Sequence, residues 1–322
     1  MLNQKLLVAS HAPFWHNGRG IQERSLNIIL AALPAVIMGI IQYGPSALGV
    51  ISLSVSCAML WELMMNFIMK RPVSIGDGNA AVIGLILGML LPAATPWWAV
   101  LTGTFVAIVV GKQIYGGIGC NPLNPALVAI AIITLSWEGL MNFDEALLNY
   151  DLDFYAVYPL GALKHFGISS VSNYETLDLF MGRQTGGIGS AFGLGLIIGG
   201  LYLVLRGHIR WEIPLSFIVG VFVTALIFNT ANADKYTSPV FHLLTGYTLI
   251  GAFFLATEDS SSPVNFIPML LYGLTGGVLT ILIRNIGAFA DGTIFAILLM
   301  NVANPLLDKI RTKAMGKGKE YA

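Results

Sequence analysis

Ile83-Gly-Leu-Ile-Leu-Gly-Met-Leu-Leu-Pro92 and Leu249-Ile-Gly-Ala-Phe-Phe-Leu-Ala-Thr-Glu-Asp259 are the two stretches whose reading decides the architecture. Each is apolar, short for a membrane span and interrupted by glycine, and each leads into a turn that bears proline. Interrupted apolar segments at matching places in two halves of a chain point to a membrane site between the halves. The competing reading is that the glycines only let helices approach closely.

Working outward from this pair, apolar runs fall near residues 25–43, 46–69, 79–93, 97–115, 123–137, 187–205, 213–230, 239–257, 264–283 and 292–307. A helix needs about 20 apolar residues to cross a bilayer, so the third and fifth runs are expected to be tilted, re-entrant or broken. The fold class expected is all-α, integral to the membrane, with ten transmembrane helices as two inverted five-helix repeats. The expected divisions are an N-terminal arm (1–24), a first repeat (25–137), an acidic loop (138–186), a second repeat (187–308) and a basic tail (309–322).

Composition agrees with lipid as the solvent. Hydrophobic residues make up 56% of the 322 and charged residues 11%, against about 25% charged in soluble domains. The formal net charge is zero, which gives no bulk attraction to nucleic acid. Cys57 and Cys120 are too few to ligate a structural zinc or an iron–sulfur cluster alone. They read as packing residues, or as one ligand shared with a partner chain, so no metal site is expected. Residues 1–24 lack the apolar core and small-residue cleavage site of a signal peptide, and the run from Ser25 to Gln42 is expected to remain as an anchor.

Charge bias sets the expected orientation, because cytoplasmic loops are enriched in Lys and Arg. With the N-terminus inside, most of the 17 basic residues fall on cytoplasmic pieces. They include Lys5, Arg19, Arg24, Lys70, Arg71, Lys112, Arg206, Arg210, Lys309, Arg311, Lys313, Lys317 and Lys319. The 138–186 loop carries Glu138, Asp144, Glu145, Asp151, Asp153, Glu175 and Asp178 against Lys164 and Arg183, which puts it outside. An odd number of spans per half inverts the second half relative to the first.

Two turns could bind a ligand. In Gly116-Gly-Ile-Gly-Cys-Asn-Pro-Leu-Asn-Pro125, Gly117, Gly119, Asn121 and Asn124 free backbone groups that must be buried in protein or line a polar cavity. The turn could cradle a phosphate or a ring edge, or serve as a hinge; it is no Walker A loop. In Gly182-Arg-Gln-Thr-Gly-Gly-Ile-Gly-Ser-Ala191, Gly186, Gly187 and Gly189 offer N–H groups at a helix N-terminus. Arg183 adds a cation, and Thr185 and Ser190 add hydroxyls. Glu62, Asp77, Lys112, His242, Glu258, Asp259, Arg284 and Asp291 are ionisable groups in or at the ends of spans, where a functional role or a satisfied structural one is expected. No Ser-His-Asp or HExxH arrangement is present.

The run Ile283-Arg-Asn-Ile-Gly-Ala-Phe-Ala-Asp-Gly-Thr-Ile-Phe-Ala-Ile-Leu-Leu-Met-Asn-Val-Ala-Asn-Pro-Leu-Leu-Asp308 resembles the last span of the NqrB/RnfD family. So do His242 to Thr257 and Gly116 to Ala126, and the resemblance covers nearly the whole chain. Length and the short N-terminal arm are similar to the RnfD side of that family. The resemblance implies a fold like that of urea and ammonium transporters. It further implies a membrane subunit of an ion-translocating ferredoxin:NAD+ oxidoreductase (Rnf type) in the bacterial or archaeal inner membrane, with iron–sulfur and flavin subunits as partners. Na+ or H+ movement would use the broken spans at 79–93 and 239–257, within this chain or at a subunit interface. The chain has no nicotinamide fingerprint, so it is not expected to act on NAD alone.

The resemblance also implies an external FMN, esterified to a threonine just before the sixth span, and raises riboflavin as a second flavin. Here the threonine position falls on Ala191. Three alternatives stay open: a flavin held non-covalently by the glycine-rich turn, the reading favoured here; an ester on Thr185 or Ser190; or loss of the flavin. A redox-free channel and a scaffold subunit are the rival functions.

Overall fold

The computed structural model describes residues 20–141, 143 and 154–310. Residues 1–19 of the N-terminal arm, most of the 142–153 stretch and residues 311–322 of the tail lie outside the described residues. So do the charges that they contribute to the orientation argument. Regular structure among the described residues is entirely helical.

Helix α1 (Ile21–Ile68) is 48 residues long, which at 1.5 Å per residue is about 72 Å, more than twice the hydrocarbon core of a bilayer. It is divided by Gly44, whose φ of 65° and ψ of −149° are non-helical, followed by Pro45. Proline cannot donate an interior helical hydrogen bond, so the break falls where the two expected spans meet. Helix α2 (Asn79–Leu90) packs along α1. Helix α3 (Trp97–Phe105) continues into a π-helical stretch, Val106–Gln113. Helix α4 (Pro125–Ser136) starts on Asn124, whose side chain accepts from the N–H groups of Ala126 and Leu127.

Short helices α5 (Pro159–Phe166) and α6 (Thr176–Met181) lie in the described part of the loop between the halves. Lys164 ties that loop to the far end of the chain by donating to the carbonyls of Gly287 (2.6 Å) and Phe289 (2.8 Å). Helix α7 (Gly193–Leu205) begins six residues later than the expected span start of 187. Residues 187–192 are unwound instead and lie against the end of α2.

Helix α8 (Glu212–Ala231) and helix α11 (Phe266–Ile286) pack closely along their length. A Cβ at Gly220 would strike the Leu274 carbonyl, and one at Gly277 the Phe217 carbonyl, so glycine permits this approach. The run at 239–257 is broken into α9 (Pro239–Leu244), a turn, α10 (Thr248–Ile250) and a π-helical stretch, Gly251–Leu255. Gly246 in that turn has φ +66°, a left-handed conformation that favours glycine. Helix α12 (Thr293–Leu307) closes the described chain.

Three helices, α1, α8 and α11, are long and apolar enough to cross a membrane, and α2, α4, α7 and α12 are shorter apolar helices. Large apolar residues such as Ile41, Phe67, Leu205, Ile227 and Val302 point outward. An outer surface of this kind is stable only against lipid or protein, and the chain is an integral membrane protein.

Candidate functional site

The first decisive segment ends where the break before the second begins. Helix α2 stops at Leu90, and the α9–α10 break brings Tyr247 to it: the Tyr247 hydroxyl donates to the Leu90 carbonyl at 2.7 Å. A carbonyl at the end of a helix has no intrahelical partner, and this phenol supplies one from the other half of the chain. Tyr247 is held in turn by its own N–H, which donates 2.7 Å to Asp291 Oδ2. Asp291 also accepts from the Arg284 guanidinium (2.9 Å) and from Thr293 N (3.0 Å) and Thr293 Oγ1 (2.8 Å). Arg284 donates further to the carbonyl of His242 (2.7 Å) and the hydroxyl of Thr248 (2.8 Å). A buried guanidinium is thus spread over the broken helix and the turn before α12, which satisfies its fixed fork of donors. Burial by itself would push the Asp291 carboxyl up. The adjacent Arg284 charge and the donated hydrogen bonds outweigh it, and the group lies below the ordinary carboxylate value.

The 182–191 turn packs at the same junction and is built as a clasp. The N–H groups of Ile188 and Gly189 donate to the carbonyls of Leu91 (3.1 Å) and Met89 (2.9 Å), and that of Ser190 to Gly187 (3.0 Å). The Gly186 N–H reaches the Tyr43 hydroxyl at 3.3 Å. Thr185 and Ser190 are buried, and so is Ala191. The Thr185 hydroxyl has no hydrogen-bond partner among the described residues, while that of Ser190 donates to Gly187. A Cβ at Gly187 would lie 2.8 Å from the carbonyl oxygens of Leu90 and Met89. Gly187 therefore serves close backbone approach, and the N–H groups of Gly186, Ile188, Gly189 and Ser190 are already engaged. Arg183 alone of the expected set is exposed, 3.4 Å from Asp178. This arrangement does not fit a flavin phosphate, and it encloses both hydroxyls that were candidates for an ester.

The 116–125 turn stands differently. Beside it lies a cavity of about 390 Å³, lined by Gly119, Asn121 and Asn124, by Val82, Ile83 and Ile86 of α2, and by Phe254, Thr257, Glu258 and Asp259. Both halves contribute to its wall. Asn124 uses its Oδ1 to cap α4 and one amide N–H to hold the Leu255 carbonyl at 3.0 Å. The Asn121 amide donates to Leu123 O (3.1 Å) and to Glu258 Oε1 (3.2 Å). Glu258 also accepts from the hydroxyls of Ser260 (2.6 Å) and Ser261 (2.5 Å) and from Ser261 N (2.9 Å). Asp259 pairs with Arg24 at the start of α1. Gly117 is not among the lining residues. A second cavity of about 660 Å³, lined by Glu138, Lys164, Tyr247 and Asp291, lies at the other end of α4. Tyr247 lines the second cavity and bonds to the last turn of α2, whose first half lines the first.

A separate buried pair joins Glu62 of α1 to Lys112 at 2.8 Å, with each side chain 1% exposed. Ser74 donates to Glu62 at 2.7 Å and is itself bonded by Asn66 at 2.8 Å. The pair fastens the π-helical stretch to α1. The residues that the sequence does not single out are Tyr247, Gln184 and Tyr43. Gln184 bridges Leu179, Ala191 and Leu244 through its amide. Their only signal is a polar group inside an apolar run or turn.

Comparison with known proteins yields a family model described as the NQR2, RnfD, RnfE family, matching residues 8–316. The chain is 34% identical to the D subunit of the Na+-translocating ferredoxin:NAD+ oxidoreductase complex of Acetobacterium woodii, over 96% of this chain and 94% of the relative. It is 32% identical to the D subunit of the proton-translocating ferredoxin:NAD+ oxidoreductase complex of Clostridium ljungdahlii, over 96% and 95%. It is also 32% identical to the D subunit of the ion-translocating oxidoreductase complex of Pectobacterium atrosepticum, over 92% and 95%.

Proposed function

The chain belongs to the NQR2, RnfD, RnfE family, and from that premise we propose that it is the D-type membrane subunit of an ion-translocating ferredoxin:NAD+ oxidoreductase complex. The observation that carries this reading is similarity along nearly the whole length to subunits of that name. Iron–sulfur and flavin subunits are the partners. The chain crosses the inner membrane ten times as two inverted five-helix repeats, with the termini cytoplasmic and the 138–186 loop external. The helix breaks at Gly44 and Thr245–Tyr247 and the unwound 187–192 strip support that topology.

The coupling cation, Na+ or H+, is proposed to move between the two cavities at the ends of α4. In the described conformation the Tyr247–Leu90 contact holds the halves closed between them. Glu258 and Asp259 concentrate cations at the mouth of the smaller cavity, and Arg24 balances part of that charge.

A flavin fits the smaller cavity better than it fits the glycine-rich turn. A volume of about 390 Å³ lies within the range of small-molecule sites, and Phe254, Ile83 and the Asn121 amide suit the faces and edge of a neutral ring. Arg24, also in the lining, pairs with Asp259 and leaves Glu258 to disfavour a phosphate, so the ring expected is riboflavin rather than FMN. A flavin bound there supplies one- and two-electron redox chemistry, while the chain's own residues position it.

The test is purification of the tagged chain with its partner subunits. Reduced-ferredoxin:NAD+ activity should co-elute with it, and denaturation should release flavin, leaving no fluorescence on the denatured band. Fluorescence that stays on the band would place an ester on this chain and defeat the flavin assignment. Absence of the oxidoreductase activity from the purified assembly would defeat the functional reading itself and leave the channel or scaffold alternatives.

A further inference from the structure

The second arm of α1 carries an outward groove that nothing above uses. Its volume is about 840 Å³ and its walls are almost wholly apolar, formed by Leu60, Leu63, Met64, Phe67, Val73 and Leu101. Trp61 lines it as well, set edge-on to Phe105 with ring centroids 5.0 Å apart. At 1.5 Å per residue, the helix between Cys57 and Phe67 rises about 15 Å, which is half of the roughly 30 Å hydrocarbon core. The groove therefore has the depth of one leaflet. A transmembrane helix of a partner would need the whole thickness.

Its mouth is basic. Lys70 and Arg71 line it at the end of α1, and both are exposed. Among the described residues neither has a carboxylate partner. Arg71 spends one N–H on the Gly116 carbonyl at 3.0 Å, which fixes the guanidinium at the rim and leaves its other donors open. Lys70 is held in place more unusually. It has φ +53°, the sole positive φ of a non-glycine residue among the described residues. Its N–H donates to Phe67 O (3.2 Å) and that of Arg71 to Asn66 O (2.9 Å). This is a Schellman helix stop, in which the left-handed position is usually glycine. A lysine there carries backbone strain that glycine would not, and it sets an ammonium beside the groove.

We propose that this groove binds one anionic phospholipid, with an acyl chain against Leu60, Met64 and Phe67 and the headgroup phosphate at Lys70 and Arg71. Basic sites at the membrane edge recognise anionic headgroups through charge, and a guanidinium offers paired donors to a phosphate.

The probe is phosphatidylglycerol with brominated acyl chains, doped into phosphatidylcholine vesicles that hold the full chain. Bromine quenches nearby tryptophan, and a Trp61→Phe chain gives the share due to Trp61. Brominated phosphatidylglycerol should quench Trp61 at a far lower mole fraction than brominated phosphatidylcholine. The double variant Lys70→Gly with Arg71→Gln keeps the left-handed helix stop, because glycine is at ease there. It should bind phosphatidylglycerol about 30-fold more weakly, as expected from two basic groups near an anionic headgroup. Equal quenching by the two lipids would reduce the groove to an unselective lipid-facing surface and overturn the proposal. Phosphatidylglycerol preference that survives in the double variant would overturn it too. So would loss of the Trp61 signal in the assembled complex, which would mean that a partner subunit covers the groove.

Discussion

The Tyr247 hydroxyl donates a 2.7 Å hydrogen bond to the Leu90 carbonyl, and through it the broken helix of one half closes the end of the short helix of the other. The same Leu90 carbonyl lies beside Gly187 of the unwound strip before α7. Three interruptions of regular helix therefore share one buried spot. Each interruption frees backbone groups that lipid cannot satisfy, and here they satisfy one another.

Tyr247→Phe should leave the Leu90 carbonyl buried without a donor. A lost partner of this kind costs about 1–3 kcal/mol, so the purified chain should unfold at a lower temperature. Phenylalanine keeps the ring, so the packing against Phe143 should remain. An unchanged melting temperature would mean that the phenol does not hold the junction.

Gly187→Ala and Gly189→Ala should differ in a definite order. A Cβ at Gly187 meets the backbone oxygens of Leu90 and Met89 at 2.8 Å, whereas one at Gly189 meets the flexible Met89 side chain. Overpacking costs about 1–3 kcal/mol, and methionine yields more readily than backbone. Gly187→Ala should therefore be the more destabilising in thermal unfolding. The reverse order would contradict the clasp geometry.

Lys112→Met alone should be worse than Lys112→Met combined with Glu62→Gln. Removing one partner of a buried ion pair leaves an uncompensated charge, at a cost of about 3–5 kcal/mol, whereas removing both is far milder. Expression level and melting temperature of the two variants decide it. Equal loss in both would show that the pair acts through packing alone.

Asp291 gives a pH signature. Its carboxyl in the turn before α12 lies below the ordinary value, while an unfolded aspartate titrates near about 3.9. A depressed carboxylate contributes stability that is fully present above the unfolded value and is lost as pH falls through the folded one. The wild-type chain should thus lose melting temperature as pH drops below about 4, and Asp291→Asn should flatten that part of the profile. An identical profile in the variant would remove Asp291 from the account.

Much of this was legible in the sequence, and the limits have physical reasons. The short glycine-bearing segment at 83–92 ends at the Leu90 junction, and the one at 249–259 starts just after Tyr247, which completes it. The gap between the runs at 25–43 and 46–69 falls on the Gly44 break in α1. The glycine-rich run at 182–191 was ambiguous in principle. Glycine serves both an open N–H cradle and close backbone approach, and only the carbonyls of Met89 and Leu91 tell which one holds. The helix expected from 187 accordingly starts at Gly193. Pairs such as Glu62 with Lys112, or Asn121 with Glu258, depend on helix packing across long separations. No local spacing encodes them. Asn124 read as a ligand-binding residue; it lines the smaller cavity, and its side chain also caps α4 and holds Leu255.

The most direct test of the account is cation uptake by inside-out membrane vesicles from cells lacking this chain, with the other subunits present. Reduced ferredoxin and NAD+ are supplied, and uptake of Na+ and of H+ is followed beside NADH formation. The account predicts that both electron transfer and uptake are lost without the chain and return when it is resupplied. Uptake and NADH formation at full rate in its absence would contradict it.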